Sequence, residues 1–282
     1  MSEVEADRLE GGRLAASLTP KVEEVMRQTA AQVLLPRFQT ITAADREEKS
    51  AGEVVTIADR EAEAMLSEGL SKLLPTASIV GEEAVHERPD LLERLGDPLC
   101  WIVDPLDGTG YFADGQQPFG IMIALASLGR TVGGWIFDPI AERRSWAAAG
   151  AGCWIDGRQI GVRQAAAGRP AIGISSLWQR RPERYAAVLS RLQGRFRLVD
   201  IPRCAAALYP AMLIEGPDLA LFERTLPWDH APGALLIEEA GGRAARLDGG
   251  PYDLDGSRAG LLVATDPVVW EEVAALLQDL PR

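Results

Sequence analysis

Cysteine and histidine are scarce: three of the first and two of the second in 282 residues. Cys100, Cys153 and Cys204 are odd in number, widely spaced and without metal-ligand spacing, which points to reduced thiols and away from a disulfide framework. His86 and His230 stand alone, with nothing near either at triad spacing, so neither is expected to be catalytic. No apolar run approaches the roughly eighteen residues that span a bilayer, and the N-terminal segment is acidic and polar where a secretory signal is basic and then apolar. A cytoplasmic protein with no membrane partner is expected. Basic residues are in deficit, 29 Lys and Arg against 41 Asp and Glu, for a formal charge of −12. That balance argues against a sequence-independent grip on nucleic acid. The one basic cluster, QRRPER at Gln179 to Arg184, reads as a solvated helix entrance, and no nucleic-acid partner is expected. Also missing are a Gly-x-Ser-x-Gly elbow, a Walker loop and a dinucleotide glycine fingerprint.

What is there suffices for a full core, with 47% apolar residues, in one large domain or two subdomains. Residues 1–18 show no sustained period and read as a flexible arm. Thr19-Pro20 reads as a cap with proline at the first helical position, opening an amphipathic helix that ends near Pro36. A second helix runs from about Thr56 to Pro75. Short strands follow at Ala77 to Val80, Leu99 to Val103, Gly120 to Leu128, Val132 to Phe137, Ser145 to Ala149 and Cys153 to Ile155. The second half alternates instead. Strands at Ala171 to Ser175, Arg195 to Ile201, Leu219 to Phe222 and Gly260 to Ala264 are interleaved with helices over Glu183 to Leu192, Ala205 to Ile214, Asp229 to Glu239 and Val268 to Leu277. The break near Gly168-Pro170 divides an N-terminal α+β subdomain, 19–168, from a C-terminal α/β subdomain, 169–282.

Acidic residues gather where apolar strands end: Glu82-Glu83 after SIVG, Asp104 and Asp107 in WIVDPLDGTGYF, and Asp229 after LPW. Strand ends converging on one sheet edge would bring these carboxylates together, and a shared cation is the economical way to hold them. The donors are all hard oxygens with no His or Cys cluster beside them, which selects Mg²⁺ or Mn²⁺ over Zn²⁺. Such ions can orient water and stabilise a leaving oxygen in phosphoryl transfer. Gly108-Thr109-Gly110 permits close backbone approach, and a turn opening a helix there would aim N–H groups at an anion. An aspartyl-phosphate phosphatase would instead carry Asp-x-Asp, one residue between the pair; here Pro105 and Leu106 intervene.

Plainer readings exist for each residue. Asp229 can be an N-cap. Thr56-Ile57-Ala58-Asp59 fits a capping box that accounts for Asp59. Glu83 can be solvated, and Asp104-Pro105 can begin a turn.

In combination, GEE at Gly81 to Glu83, WIVDPLDGT at Trp101 to Thr109 and PWDHAPGALLIEEAGG at Pro227 to Gly242 resemble the inositol monophosphatase family of metal-dependent, often lithium-sensitive phosphatases, over roughly residues 20–280. The resemblance implies an α+β fold, a layered α-β-α-β-α sandwich of the sugar and inositol phosphatase type. It implies two or three Mg²⁺ ions, with Mn²⁺ a substitute. Glu82, Asp104 and the Leu106 carbonyl would hold one ion, and Asp104, Asp107 and Asp229 a second. Thr109, hydrogen-bonded to Asp59, and Glu82 would orient or activate water, while the Gly108 and Thr109 amides would hold phosphate. A homodimer and inhibition by lithium are implied as well.

The implied activity is hydrolysis of a small phosphorylated polyol or sugar, inositol monophosphate by default. Fructose 1,6-bisphosphate, histidinol phosphate and a 3′(2′),5′-bisphosphate nucleotide are the alternatives, and a catalytically silent metal-binding regulator is the reading from another class. The chain departs from the family pattern at Tyr111, usually Asn; at Arg203-Cys204-Ala205-Ala206, usually a Gly-Ser-Ala-Ala type stretch; and at His230, often a small apolar residue. Arg203 would suit a second anionic group on the substrate, with Glu223 and Asp229 near its hydroxyls. The plain alternative for Arg203 is solvent, or an ion pair with Glu223 or Asp200.

Overall fold

The computed structural model describes residues 3–50, 53–165, 168–175, 181–254 and 260–279. Gln179 and Arg180 of the basic cluster lie outside them.

The first helix, α1 (Glu3–Thr29), is longer than the sequence suggested. The segment read as a loose arm is, from Glu3 onward, its first turns. Two features disguised it. Gly11-Gly12 looks like a helix breaker, yet a Cβ on Gly12 would lie 2.1 Å from the Ala149 carbonyl oxygen, so glycine lets the helix backbone touch the sheet. Thr19 is no cap either: its hydroxyl donates to the Ala15 carbonyl at 3.3 Å and accepts from the Trp135 indole at 3.0 Å. Ala15, Leu18, Val22 and Met26 recur at helical spacing and are buried. A π-turn (Ala30–Leu34) and α2 (Leu35–Arg37) complete the rod. A hairpin of β1 (Arg46–Ser50) and β2 (Glu53–Thr56) follows, then α3 (Ile57–Leu73). The hairpin is absent from the sequence reading because REEKS carries no apolar alternation.

Next come β3 (Ser78–Gly81), α4 (Glu82–Glu87), a 3₁₀ segment (Pro89–Gly96), β4 (Cys100–Asp107), α5 (Thr109–Ala113), β5 (Gly120–Ser127), β6 (Arg130–Asp138), β7 (Arg143–Ala148), β8 (Gly152–Ile155) and β9 (Arg158–Ile160). The seven strands β3 to β9 form one sheet in sequence order, parallel only between β3 and β4. The remainder is β10 (Ala171–Ile174), α6 (Pro182–Leu192), β11 (Arg197–Val199), α7 (Ala205–Ile214), β12 (Leu219–Phe222), α8 (Pro227–Glu239), β13 (Arg243–Arg246), β14 (Leu261–Ala264) and α9 (Pro267–Leu277). Here the strand order is β11-β10-β12-β14-β13. β13, RAAR, was missed because two arginines flank its apolar pair.

Period-two alternation assigns the faces. On β5, Ile121, Ile123 and Leu125 pack with α1 and α3, while Met122 packs with α7 and α8. On β12, Ala220 and Phe222 meet that same helix pair, whereas Leu219 and Leu221 meet α6 and α9. The layers are therefore α1/α3, sheet, α7/α8, sheet, α6/α9: an α+β, α-β-α-β-α sandwich. α8 is apolar on every side because it lies between the two sheets, with ten of its thirteen residues buried.

Candidate functional site

Strand β4 delivers both aspartates, and a bulge explains their spacing. Asp104 pairs with Met122 and Asp107 with Gly120, so three residue steps on β4 oppose two on β5. In a regular strand, residues three apart point to opposite faces; the extra residue brings Asp104 and Asp107 to the same side. Pro105, which has no N–H to lose from the ladder, sits inside the bulge. The Leu106 amide donates to Asp104 Oδ1 at 3.0 Å. Gly108 then takes a left-handed conformation, φ 86°, where a Cβ would lie 2.7 Å from the Pro118 carbonyl oxygen.

Glu82, Asp104 and Asp229 converge from three elements. A carboxylate oxygen from each lies within 4.8 Å of the others. Glu82 is the first residue of α4, and Asp229 stands in the first turn of α8, whose N-cap is Leu226. Asp229 is therefore not the cap. Asp104 is almost wholly buried, and burial, then repulsion from Glu82, Asp107 and Asp229, raises its carboxyl well above the usual range. Asp107 stands outside the triple but lines the same cavity. Its Oδ2 accepts from the Ala206 amide at 2.6 Å, in the first turn of α7. Burial pushes its carboxyl up to about 6 against the pull of that bond. Four hard-oxygen donors, crowded and poorly solvated, suit a divalent cation by chemistry and charge.

Thr109 and Asp59 meet as the sequence suggested. The threonine hydroxyl lies 3.0 Å from Asp59 Oδ1 and 2.8 Å from the Leu106 carbonyl oxygen. Asp59 makes the Thr109 contact and the capping box together, because its other oxygen accepts from the amide and hydroxyl of Thr56. Asp59 is 2% exposed and does not line the cavity, so it lies behind Thr109. Burial pushes its carboxyl up to about 7.

These groups open on a cavity of about 460 Å³, within the range of small-molecule sites. Its lining also includes Tyr111, Ser175, Arg203, Arg224 and Leu208. Arg203 is exposed, and its side chain makes no ion pair among the described residues, so it neutralises neither Glu223 nor Asp200. Its amide lies 3.5 Å from the Tyr111 hydroxyl. Glu223 is placed differently from the sequence reading. It is absent from the cavity lining, and its Oε1 instead pairs with Arg181 at 3.0 Å and Arg184 at 3.2 Å, from the start of α6.

Glu83 is buried, not solvated. His86 is exposed in the last turn of α4. His230 is buried and neutral, its burial pulling the pKa down to about 3. In that state its Nε2–H donates to the Arg224 carbonyl at 3.2 Å and its Nδ1 accepts from the Tyr209 hydroxyl at 2.9 Å, so both ring nitrogens are engaged although the residue also lines the cavity. Two supporting roles escaped the sequence reading. Ala206 enters it only as part of a departure from the family pattern, and the bond its amide gives to Asp107 carries no side-chain signal. Glu63 does: it interrupts the buried stripe Ala58, Ala62, Leu66, Leu70 of α3.

Known proteins resemble this chain over most of its length. The family model for the inositol monophosphatase family matches residues 17–282. The Nus factor SuhB of Escherichia coli K12 is 29% identical over 257 residues, covering 89% of this chain and 92% of that protein. Inositol-1-monophosphatase of Rhizobium meliloti strain 1021 is 32% identical over 237 residues, 82% and 84% of the two chains. Among solved structures, a Thermotoga maritima IMPase superposes with a TM-score of 0.74 at 24% identity, covering 92% of this chain and 95% of its own. With the motifs, the layered fold and the carboxylate cluster in agreement, this chain belongs to the inositol monophosphatase family.

Proposed function

We propose that this protein, by family a phosphoric monoester hydrolase, uses Mg²⁺ to hydrolyse a small phosphorylated polyol or sugar, with inositol monophosphate the default substrate. The observation that carries the reading is the convergence of Glu82, Asp104 and Asp229 within 4.8 Å on the wall of a sugar-sized cavity. Glu82, Asp104 and the Leu106 carbonyl would hold one ion, and Asp104, Asp107 and Asp229 a second, with Mn²⁺ able to substitute. Bound there, the ions supply Lewis acidity and a water of lowered pKa. The chain does the rest. Thr109, tethered to Asp59, orients the attacking water together with Glu82. The amides of Gly108 and Thr109, at the entrance to α5, receive the phosphoryl oxygens.

Arg203 favours a second reading of the organic half. An exposed guanidinium lining the cavity, with no ion pair among the described residues, suits a second phosphate or a carboxylate better than a bare polyol. A bis-anionic sugar ester is therefore the leading alternative to inositol monophosphate. Lithium inhibition, a homodimer and a cytoplasmic location belong to the same reading.

Phosphate release from a panel of monoesters, with and without Mg²⁺, tests it. Release that requires the metal and ranks the polyol and sugar phosphates first is expected. Absence of release across the whole panel would overturn it in favour of a silent metal-binding regulator.

A further inference from the structure

Helix α3 carries two buried carboxylates one turn apart, and only the first has a role so far. Asp59 reaches forward to Thr109. Glu63, 7% exposed, reaches sideways to α4: its Oε2 accepts from the Glu83 amide at 2.7 Å and its Oε1 from the Ala84 amide at 2.9 Å. Residues four apart on a helix share a face, so one rigid element holds both the water-orienting hydroxyl and the helix that begins with Glu82.

The geometry of α4 makes this support necessary. It has six residues, too few to hold its own shape, and its N-cap is Gly81, which has no side chain to satisfy the first amides. Glu63 supplies the cap from outside. Gly81 makes room for it: a Cβ there would lie 2.3 Å from Glu63 Cδ. The glycine of the GEE motif and the buried glutamate are therefore a matched pair, and the backbone that aims Glu82 is pinned between them.

We infer that Glu63 is a positioning residue, whose carboxylate clamps the N-terminus of α4 and so fixes Glu82 against Asp104 and Asp229. It neither lines the cavity nor belongs to the carboxylate triple. The inference rests on the reading of Glu82 as a metal ligand.

Two variants test it, both in the full chain: Glu63→Gln, which turns an amide group toward one of the backbone N–H donors, and Gly81→Ala, which evicts the carboxylate. Mn²⁺ affinity is measured by calorimetry without substrate, alongside KM and kcat at saturating metal. Both variants should bind Mn²⁺ roughly ten- to hundredfold more weakly, with KM for a phosphomonoester little changed at saturating metal. Glu63→Asp, which keeps the charge, should recover part of the affinity, and it carries the test should Glu63→Gln fail to fold. Wild-type Mn²⁺ affinity in the folded variants, with only a lower Tm, would overturn the inference and leave Glu63 a structural cap. Failure of the wild-type protein to bind Mn²⁺ would instead strike the metal reading beneath it.

Discussion

The two walls of the cavity are built to different standards. On the wall that holds the carboxylates, several groups are backed by a second: Asp104 by the Leu106 amide, Asp107 by the Ala206 amide, Thr109 by Asp59, and the helix of Glu82 by Glu63. Elsewhere in the lining, Arg203 and Arg224 are exposed and reach the cavity from loops. A wall with backed side chains pre-organises one chemistry, whereas exposed arginines can change partner without disturbing the core. On the proposed function, the reaction would be fixed on one side and the choice of substrate left to the other.

Substitutions can sharpen that contrast. The largest effect is expected from Asp104→Asn, because an amide cannot supply the charge that would bind cation. Turnover should fall by on the order of 10³-fold or more, while the metal-free protein keeps or raises its Tm, since repulsion with Glu82 is relieved. Differential scanning fluorimetry beside a phosphate-release assay checks both halves, and full activity at saturating Mg²⁺ would remove Asp104 from the site. Thr109→Ala should cost about 10²-fold in kcat, with Thr109→Ser restoring most of it. A loss confined to thermal stability would reduce the Thr109–Asp59 pair to a structural role. The smallest effect belongs to the open wall. Arg203→Ala should raise KM for a bis-anionic ester by about tenfold, the worth of one charge-assisted contact, and far less for a simple monophosphate. Equal KM changes for both esters would turn the walls' contrast into a matter of exposure alone.

Legibility followed the same division. The end of β3 and the start of α8 were readable because each is a local event, whereas β4, read as ending at Val103, runs on through the bulge to Asp107. The DPLD spacing set aside an Asp-x-Asp phosphatase, but the bulge behind it appeared only in the pairing of β4 with β5. Helix α1 was truncated because Gly11-Gly12 looks like a break until Ala149 is known to press against it. Glu223 was put near the substrate hydroxyls by the family resemblance, whereas its carboxylate pairs with Arg181 and Arg184 and is absent from the cavity lining.

From local pattern alone, the chain determined which side chains could hold a cation, that they end strands or begin helices, and that their donors are hard oxygens. Tertiary structure alone decided what holds those side chains still. The Ala206 amide that anchors Asp107 is 99 residues away, and the Glu63 carboxylate that caps α4 is 20 residues from its first partner. A backbone amide has no residue type to read, and a buried glutamate declares its partner only once two helices are packed. Periodicity records burial, but a hydrogen bond across elements depends on where the fold brings them together.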